Sequence, residues 1–408
     1  MKSFFQFLGR AYKYFRGTKR VWRKPSRADL LIIDRGTASP LDEMFAHHNP
    51  HIMDIRGESV NMLALLRAVP KIHLGAVAYL EAYIDFVKPK LILSCSDFNV
   101  ALWSLKRRNV HYRVAIIQCA WRPELFGELA VVAKDKSQNT KCEVDMAFAY
   151  GPRTVSPRIG EVADSVSFCG STKANLFPHE VSGKKTNVIA IISQFRSKML
   201  EIDPDFYLPE REVFRTIGEL AKNSQLQVFV YSPFSTDEKN SVEKKMWDSY
   251  LQGFSFEYFP LSQKLDSYYG IKNAKIVISI DSTLGYEALG LGSKVCIFTS
   301  RTIRSDYEPY YSLLKKRWGI VGDFGSEAFR VKNKFGSQTD FSDNGFFWSN
   351  VRSQDEIIRV FNSVLNATWD EWERVSRPFA DQLMVHDYGN TKIRAYVEGV
   401  LTGSLKSN

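Results

Sequence analysis

A chain of 408 residues, 44% hydrophobic and 25% charged, has the make-up of a globular protein and the length for two cores of roughly 150–200 residues each. No run reaches the ~18 continuous apolar residues of a membrane span, and the five cysteines (Cys95, Cys119, Cys142, Cys169, Cys296) show neither metal-ligand spacing nor a disulfide framework, which points to a reducing cytoplasm. Residues 1–24 hold eight Lys or Arg and no acid, so the other 384 carry only +2 of the net +10; that excludes a nucleic-acid-binding body, whose basic stripe lies on the folded domain.

In chain order, Phe4, Leu8, Ala11 and Phe15 share one helical face, with Lys2, Arg10, Lys13 and Arg16 opposite. Such a basic amphipathic segment can lie on an anionic bilayer or pack on its own domain, and it lacks the features of a secretory signal. From Asp29 the pattern is α/β. Apolar runs at Leu30–Ile33, His51–Ile55, Leu91–Cys95, Tyr112–Cys119, Met146–Tyr150 and Ser165–Cys169 read as strands, with helical periodicity in Val60–Val69 and Gly75–Val87. The polar segment Ser171–Thr186 is a linker candidate. A second series follows, with strands at Val188–Ile192, Leu226–Tyr231 and Phe254–Phe259 and helices at 210–222, 237–251 and 261–269. Strand–helix alternation of this kind implies parallel sheets with right-handed crossovers. The expectation is therefore two Rossmann-like doubly wound domains facing a cleft. Its parts are an N-terminal segment 1–24, a domain at 25–175, a second at 176–385, and a C-terminal helix at 386–408 that can pack back on the first domain.

The stretch Lys275–Ser300 is the most informative. A β-branched strand, Ile276–Ile280, runs into Asp281-Ser282-Thr283, whose small polar side chains suit a helix N-cap. A helix at Leu284–Leu291 and a strand at Val295–Phe298 complete the unit. Free N–H groups and the dipole at such a helix start attract phosphate. Glu287 lies four residues after Thr283 on the same face. Hydroxyls for a diphosphate and a carboxylate for ribose would suit a nucleotide-sugar site, although the same unit caps helices in many doubly wound proteins. Beyond Phe298 come the loop residues Arg301, Arg304, Tyr307, Tyr310 and Tyr311. Phe346-Phe347-Trp348 reads as buried packing, and helices follow at 354–365, from Trp369, and at 391–401.

Several strand ends together resemble bacterial surface-carbohydrate biosynthesis proteins, glycosyltransferases of O-antigen and capsule pathways. The matching pieces are Ile116-Ile117-Gln118 with Arg122, Cys169-Gly170-Ser171 with Asn175, Ser193-Gln194-Phe195-Arg196, Asp281 through Ala288 (with Gly285, Tyr286 and Glu287), Trp348 with Glu371-Trp372, and Asp387-Tyr388-Gly389-Asn390. Their order covers most of residues 90–395. The chain departs from the family at Gln118-Cys119-Ala120, where Gln-Asn-Gly is frequent. The resemblance implies the GT-B architecture, a UDP- or CMP-linked sugar donor held by the C-terminal half, and a glycan or lipid-linked acceptor held by the N-terminal half.

On that footing Ser282, Thr283 and nearby N–H groups meet the leaving phosphate, with Ser193, Gln194 and Arg196 approaching from the neighbouring strand end. Arg196 is the cation best shaped for phosphate. No Asp-x-Asp pair lies at a strand end, so neither a metal nor another cofactor is expected. An inverting transferase needs a base for the acceptor hydroxyl. Asp97 is the first candidate, Asp34 the second, and His47 or His48 the third; strand-end Asp also commonly caps the next helix. Gln118, Arg122 and Ser171 are further cleft candidates. A nucleotide-sugar 2-epimerase or polyol-phosphate transferase on the same fold, and a non-catalytic binding protein, remain the alternatives.

Overall fold

The structure is a computed structural model that describes residues 18–74, 76–108, 111–121, 125–136, 143–179, 186–195, 208–280, 282–299, 335–336, 341–351 and 353–405. The amphipathic stretch before Thr18, Arg122, Arg196, Asp281 and the loop residues Arg301–Tyr311 lie outside the described residues.

The N-terminal half contains β1 (Lys19–Val21), β2 (Leu30–Ile33), β3 (His51–Met53), β4 (Ser59–Asn61), β5 (Leu91–Ser94), β6 (Arg113–Ile117), β7 (Met146–Ala149) and β8 (Val166–Phe168). Six of them form one parallel sheet in the order β3-β2-β5-β6-β7-β8. Its β-branched runs are buried on both faces, as a parallel sheet requires. Leu31, Ile33 and Ile92 pack with Leu80 and Ile84 of the Ala76–Val87 helix. Leu30, Ile32, Leu91 and Leu93 meet Ile393, Tyr396 and Val397 of the Thr391–Thr402 helix. The chain's last helix thus covers the first sheet.

The second half contains β9 (Val188–Ile192), β10 (Gln227–Tyr231), β11 (Glu257–Phe259), β12 (Ile276–Ser279), β13 (Val295–Phe298) and β14 (Trp348–Ser349), ordered β11-β10-β9-β12-β13-β14 and again parallel. Helices Leu208–Asn223, Asp237–Tyr250, Gln354–Asn366 and Trp369–Leu383 supply much of its cover.

Two details differ from expectation. Lys19–Val21, assigned to the N-terminal amphipathic segment, is a strand paired in parallel with β4, because the Ser59–Asn61 backbone offers it hydrogen-bonding partners. Trp348, expected as packing alone, also adds a sixth strand to the second sheet through Ile297. Phe347 and Trp348 are nonetheless buried, as the aromatic run implies.

In each sheet the strand order reverses direction beside the first strand of its series, at β2/β5 and at β9/β12. Ligands of open α/β sheets bind in the crevice outside the carboxyl ends of the strands at such a switch point.

Candidate functional site

The residues after β9 and β12 flank the second switch point. Ser282 caps the Thr283–Gly290 helix and accepts from the Leu284 N–H at 3.3 Å. Gly285 allows that helix to sit directly on β12: a Cβ there would lie 2.3 Å from Ser279 Oγ. After β9, the Ser193 hydroxyl donates to Glu243. Glu243 is fully buried and also accepts from Ser232 (2.6 Å), Tyr258 (2.9 Å) and Trp247 Nε1 (3.4 Å). It ties the ends of β9, β10 and β11 together. Its position inside a charged helix, DEKNSVEKKMWDSY, hid this role from sequence reasoning.

Gln194 is different. Its amide oxygen is buried and finds no hydrogen-bond partner among the described residues. A buried acceptor left without a donor costs about 1–3 kcal/mol. Such an orphaned acceptor calls for a donor that the described residues do not supply.

The N-terminal half closes onto the Thr283–Gly290 helix. Trp121 donates its N–H to Thr283 Oγ1 at 2.8 Å and stacks on Tyr286, with centroids 3.7 Å apart. The Tyr286 hydroxyl accepts from Gly336 N at 3.1 Å. Glu287, expected to face ribose, is buried instead: the Ser171 hydroxyl donates to one oxygen and Tyr268 to the other at 2.7 Å. Burial pushes its pKa up, with hydrogen bonds from Ser171 and Tyr268 and the Lys173 charge opposing. The same burial, with the Glu287 charge, raises the Tyr268 phenol well above its ordinary value. Thr283, Tyr286, Glu287 and Ser171 therefore sit in contacts that join the two halves.

At the first switch point, Asp34 is fully buried with its backbone in the left-handed region, φ 82°. Arg56 grips both carboxylate oxygens at 2.7–2.9 Å, the Ser96 hydroxyl donates to it, and the Gly36 N–H donates at 3.1 Å. Burial would raise its pKa, but the Arg56 and Ser96 hydrogen bonds and the Arg56 charge outweigh that and hold it below the usual range. A carboxylate held this way is a poor proton acceptor. Asp97, after β5, is also buried and receives the Cys119 N–H at 3.4 Å and the Cys119 thiol at 3.6 Å. Gln118 uses its amide oxygen on Tyr150 N (2.9 Å) and Thr154 Oγ1 (3.0 Å), holding the turn after β7. His47 and His48 both bond Glu398, at 3.1 and 2.8 Å, on the last helix. Those three are the group among the described residues with the composition of a metal site, and they belong to the packing of that helix on the first domain.

The remaining motif residues meet at the crossover. Buried Asn175 donates to Cys169 O (2.7 Å) and Asn390 Oδ1 (2.9 Å) and accepts from Asp387 N (3.0 Å). Asn390 returns a bond to Thr172 O at 3.0 Å. Gly170, at φ 69°, lies so near Val385 that a Cβ would be 1.9 Å from its carbonyl oxygen. The segment after β8 and the start of the last helix are thereby locked together.

The sequence matches a family model described as "putative O-antigen biosynthesis protein" over residues 115–314 and 325–400, most of the chain. The protein belongs to that family. No curated protein matches it. Among solved structures, it resembles the Staphylococcus aureus MnaA–UDP complex (TM-score 0.50, 11% identity, 94% of this chain and 97% of that one). It also resembles a putative UDP-N-acetylglucosamine 2-epimerase from Listeria monocytogenes (TM-score 0.53, 11% identity, 93% of this chain and 98% of that one). These likenesses agree with two Rossmann-like domains in the GT-B arrangement.

Proposed function

We propose that this member of the O-antigen biosynthesis family is a glycosyltransferase that moves a sugar from a nucleotide-sugar donor to a surface-polysaccharide or lipid-linked glycan acceptor. The observation that carries the reading is that the partnerless Gln194 amide oxygen and the Ser282-capped helix start follow the neighbouring strands β9 and β12 at the switch point. There the helix dipole and the first-turn N–H that the Ser282 cap leaves over receive the diphosphate, and Gln194 accepts a hydrogen bond from the nucleoside or sugar. Arg196, three residues after Ser193, is the cation the sequence offers for the phosphate.

In the transfer step the acceptor hydroxyl oxygen attacks the anomeric carbon as the bond to the diphosphate oxygen breaks. Asp97 takes the hydroxyl proton, and the leaving diphosphate keeps the electron pair. The developing charge meets fixed donors rather than an obligatory metal, so added EDTA leaves turnover unchanged.

A second reading, a nucleotide-sugar 2-epimerase, is supported by the fold shared with the Listeria epimerase and with MnaA, which was solved with UDP. Incubation with UDP-N-acetylglucosamine, followed by proton NMR, separates the two. Inversion at C2 without an acceptor selects epimerisation. UDP release that requires a lipid-linked or glycan acceptor selects transfer. Binding without either reaction would contradict both.

A further inference from the structure

The Met62–Ala68 helix is amphipathic in the wrong direction for a helix on a protein surface. Ala64 and Ala68 face inward onto Ala78 and Ala82 of the Ala76–Val87 helix. On the opposite side, Met62, Leu66 and Val69 follow the i, i+4, i+7 spacing of one face. Leu66 is 58% exposed and Val69 54%. Trp22, 61% exposed, is fixed beside the start of this helix: Val21 pairs with Asn61, and the Arg23 carbonyl accepts from Asn61 Nδ2 at 2.8 Å. Three of the eight exposed large hydrophobics among the described residues thus gather around one short helix. Scattered apolar side chains need no explanation, but a cluster marks an interaction surface.

The charge of its border identifies the partner. Lys19, Arg20, Arg23 and Lys24 are exposed, and none has an acidic partner among the described residues. Lys24 and Arg67 both lie over the Phe86 ring, at 5.6 and 5.2 Å, which joins the basic strand to the apolar helix. Arg67 and Lys71 are paired with Asp85 and Glu81, so the surplus positive charge belongs to the β1 segment. The chain preceding Thr18 adds Lys2, Arg10, Lys13 and Arg16 without an acid.

We infer that this face, Trp22, Leu66 and Val69 rimmed by Lys19, Arg20, Arg23 and Lys24, docks the folded N-terminal domain on an anionic lipid bilayer. An anionic surface draws in the cations, while the acyl boundary receives the apolar side chains and Trp22 takes the interfacial position such residues favour. A nucleic acid would satisfy the charges but leave Leu66 and Val69 in water. The inference goes beyond the proposed reaction and does not depend on it.

The test is co-sedimentation of the full chain with phosphatidylcholine vesicles with or without about 30% phosphatidylglycerol. Binding is expected only with the anionic lipid. Leu66→Ser/Val69→Ser should weaken it about tenfold, and Arg20→Glu/Arg23→Glu should do at least as much. Val242→Ser, which alters an exposed valine on the second domain, should leave it unchanged. Circular dichroism melts confirm that the variants are folded. Undiminished vesicle binding by folded Leu66→Ser/Val69→Ser would overturn the inference. So would equal binding to uncharged vesicles, or a lipid-free dimer that this variant dissociates.

Discussion

Asp34 and Glu287 are both buried carboxylates, and their surroundings push them in opposite directions. Asp34 is held ionised by Arg56 and Ser96, so its contribution to stability is present above the unfolded value of 3.8 and is lost as pH falls through its lower folded value. Asp34→Asn should cost about 3 kcal/mol at neutral pH by leaving Arg56 without its partner. That gap should close in acid melts below pH 3.8. Glu287 is raised by burial, so its contribution is full below 4.5 and declines as pH rises through the elevated folded value. Glu287→Ala strands the buried Ser171 and Tyr268 hydroxyls and should cost about 3 kcal/mol or more. Glu287→Gln keeps an acceptor, and the wild type's advantage over it should be largest below pH 4.5, checked by denaturant titration across pH. A carboxylate that instead bound ribose freely would give Glu287→Ala a normal melting temperature and lost nucleotide binding.

At the scale of elements, the Thr283–Gly290 helix depends on Gly285. Gly285→Ala places a methyl 2.3 Å from Ser279 Oγ and 2.5 Å from its Cβ, so the helix must lift off β12. A loss of about 1–3 kcal/mol in chemical denaturation follows, with weaker nucleotide binding as Ser282 moves. The strands and this unit were legible in the sequence because each rests on local signals: β-branched runs for β9, β12 and β13, and a Ser-Thr cap at the helix start. Ser282, Ser193, Gln194, Asp34 and Asp97 all stand at strand ends for the same reason. What those side chains touch was not legible. The partners of Ser193 and Glu287 are 50 and 116 residues away in sequence, and the buried Glu243 looks like one more solvated charge in its helix. Trp348 pairs with a strand 51 residues earlier, so its aromatic neighbours announced burial but not strand pairing.

Over the whole molecule, two parallel sheets are joined by contacts concentrated on one helix and one crossover. Trp121 on Tyr286 and Ser171 on Glu287 connect the halves, while Asn175 on Asn390 pins the last helix where it returns to cover the first sheet. The motif residues of the family divide accordingly. Those around Asn175 and Asn390 lock the segment after β8 to the start of the last helix, and those around Gln194 and Ser282 border the switch point where a donor would lie. The exposed face at Trp22, Leu66 and Val69 is on the N-terminal domain, the half assigned to the acceptor. The central claim, that the β9/β12 switch point binds the nucleotide, is tested most directly by isothermal titration of UDP and UDP-N-acetylglucosamine into the wild type, Gln194→Ala and Ser282→Ala. Saturable one-site binding that weakens about tenfold in Gln194→Ala, in a variant at least as stable as the wild type, is the predicted result. Binding unchanged in both variants would place the nucleotide elsewhere and contradict the account.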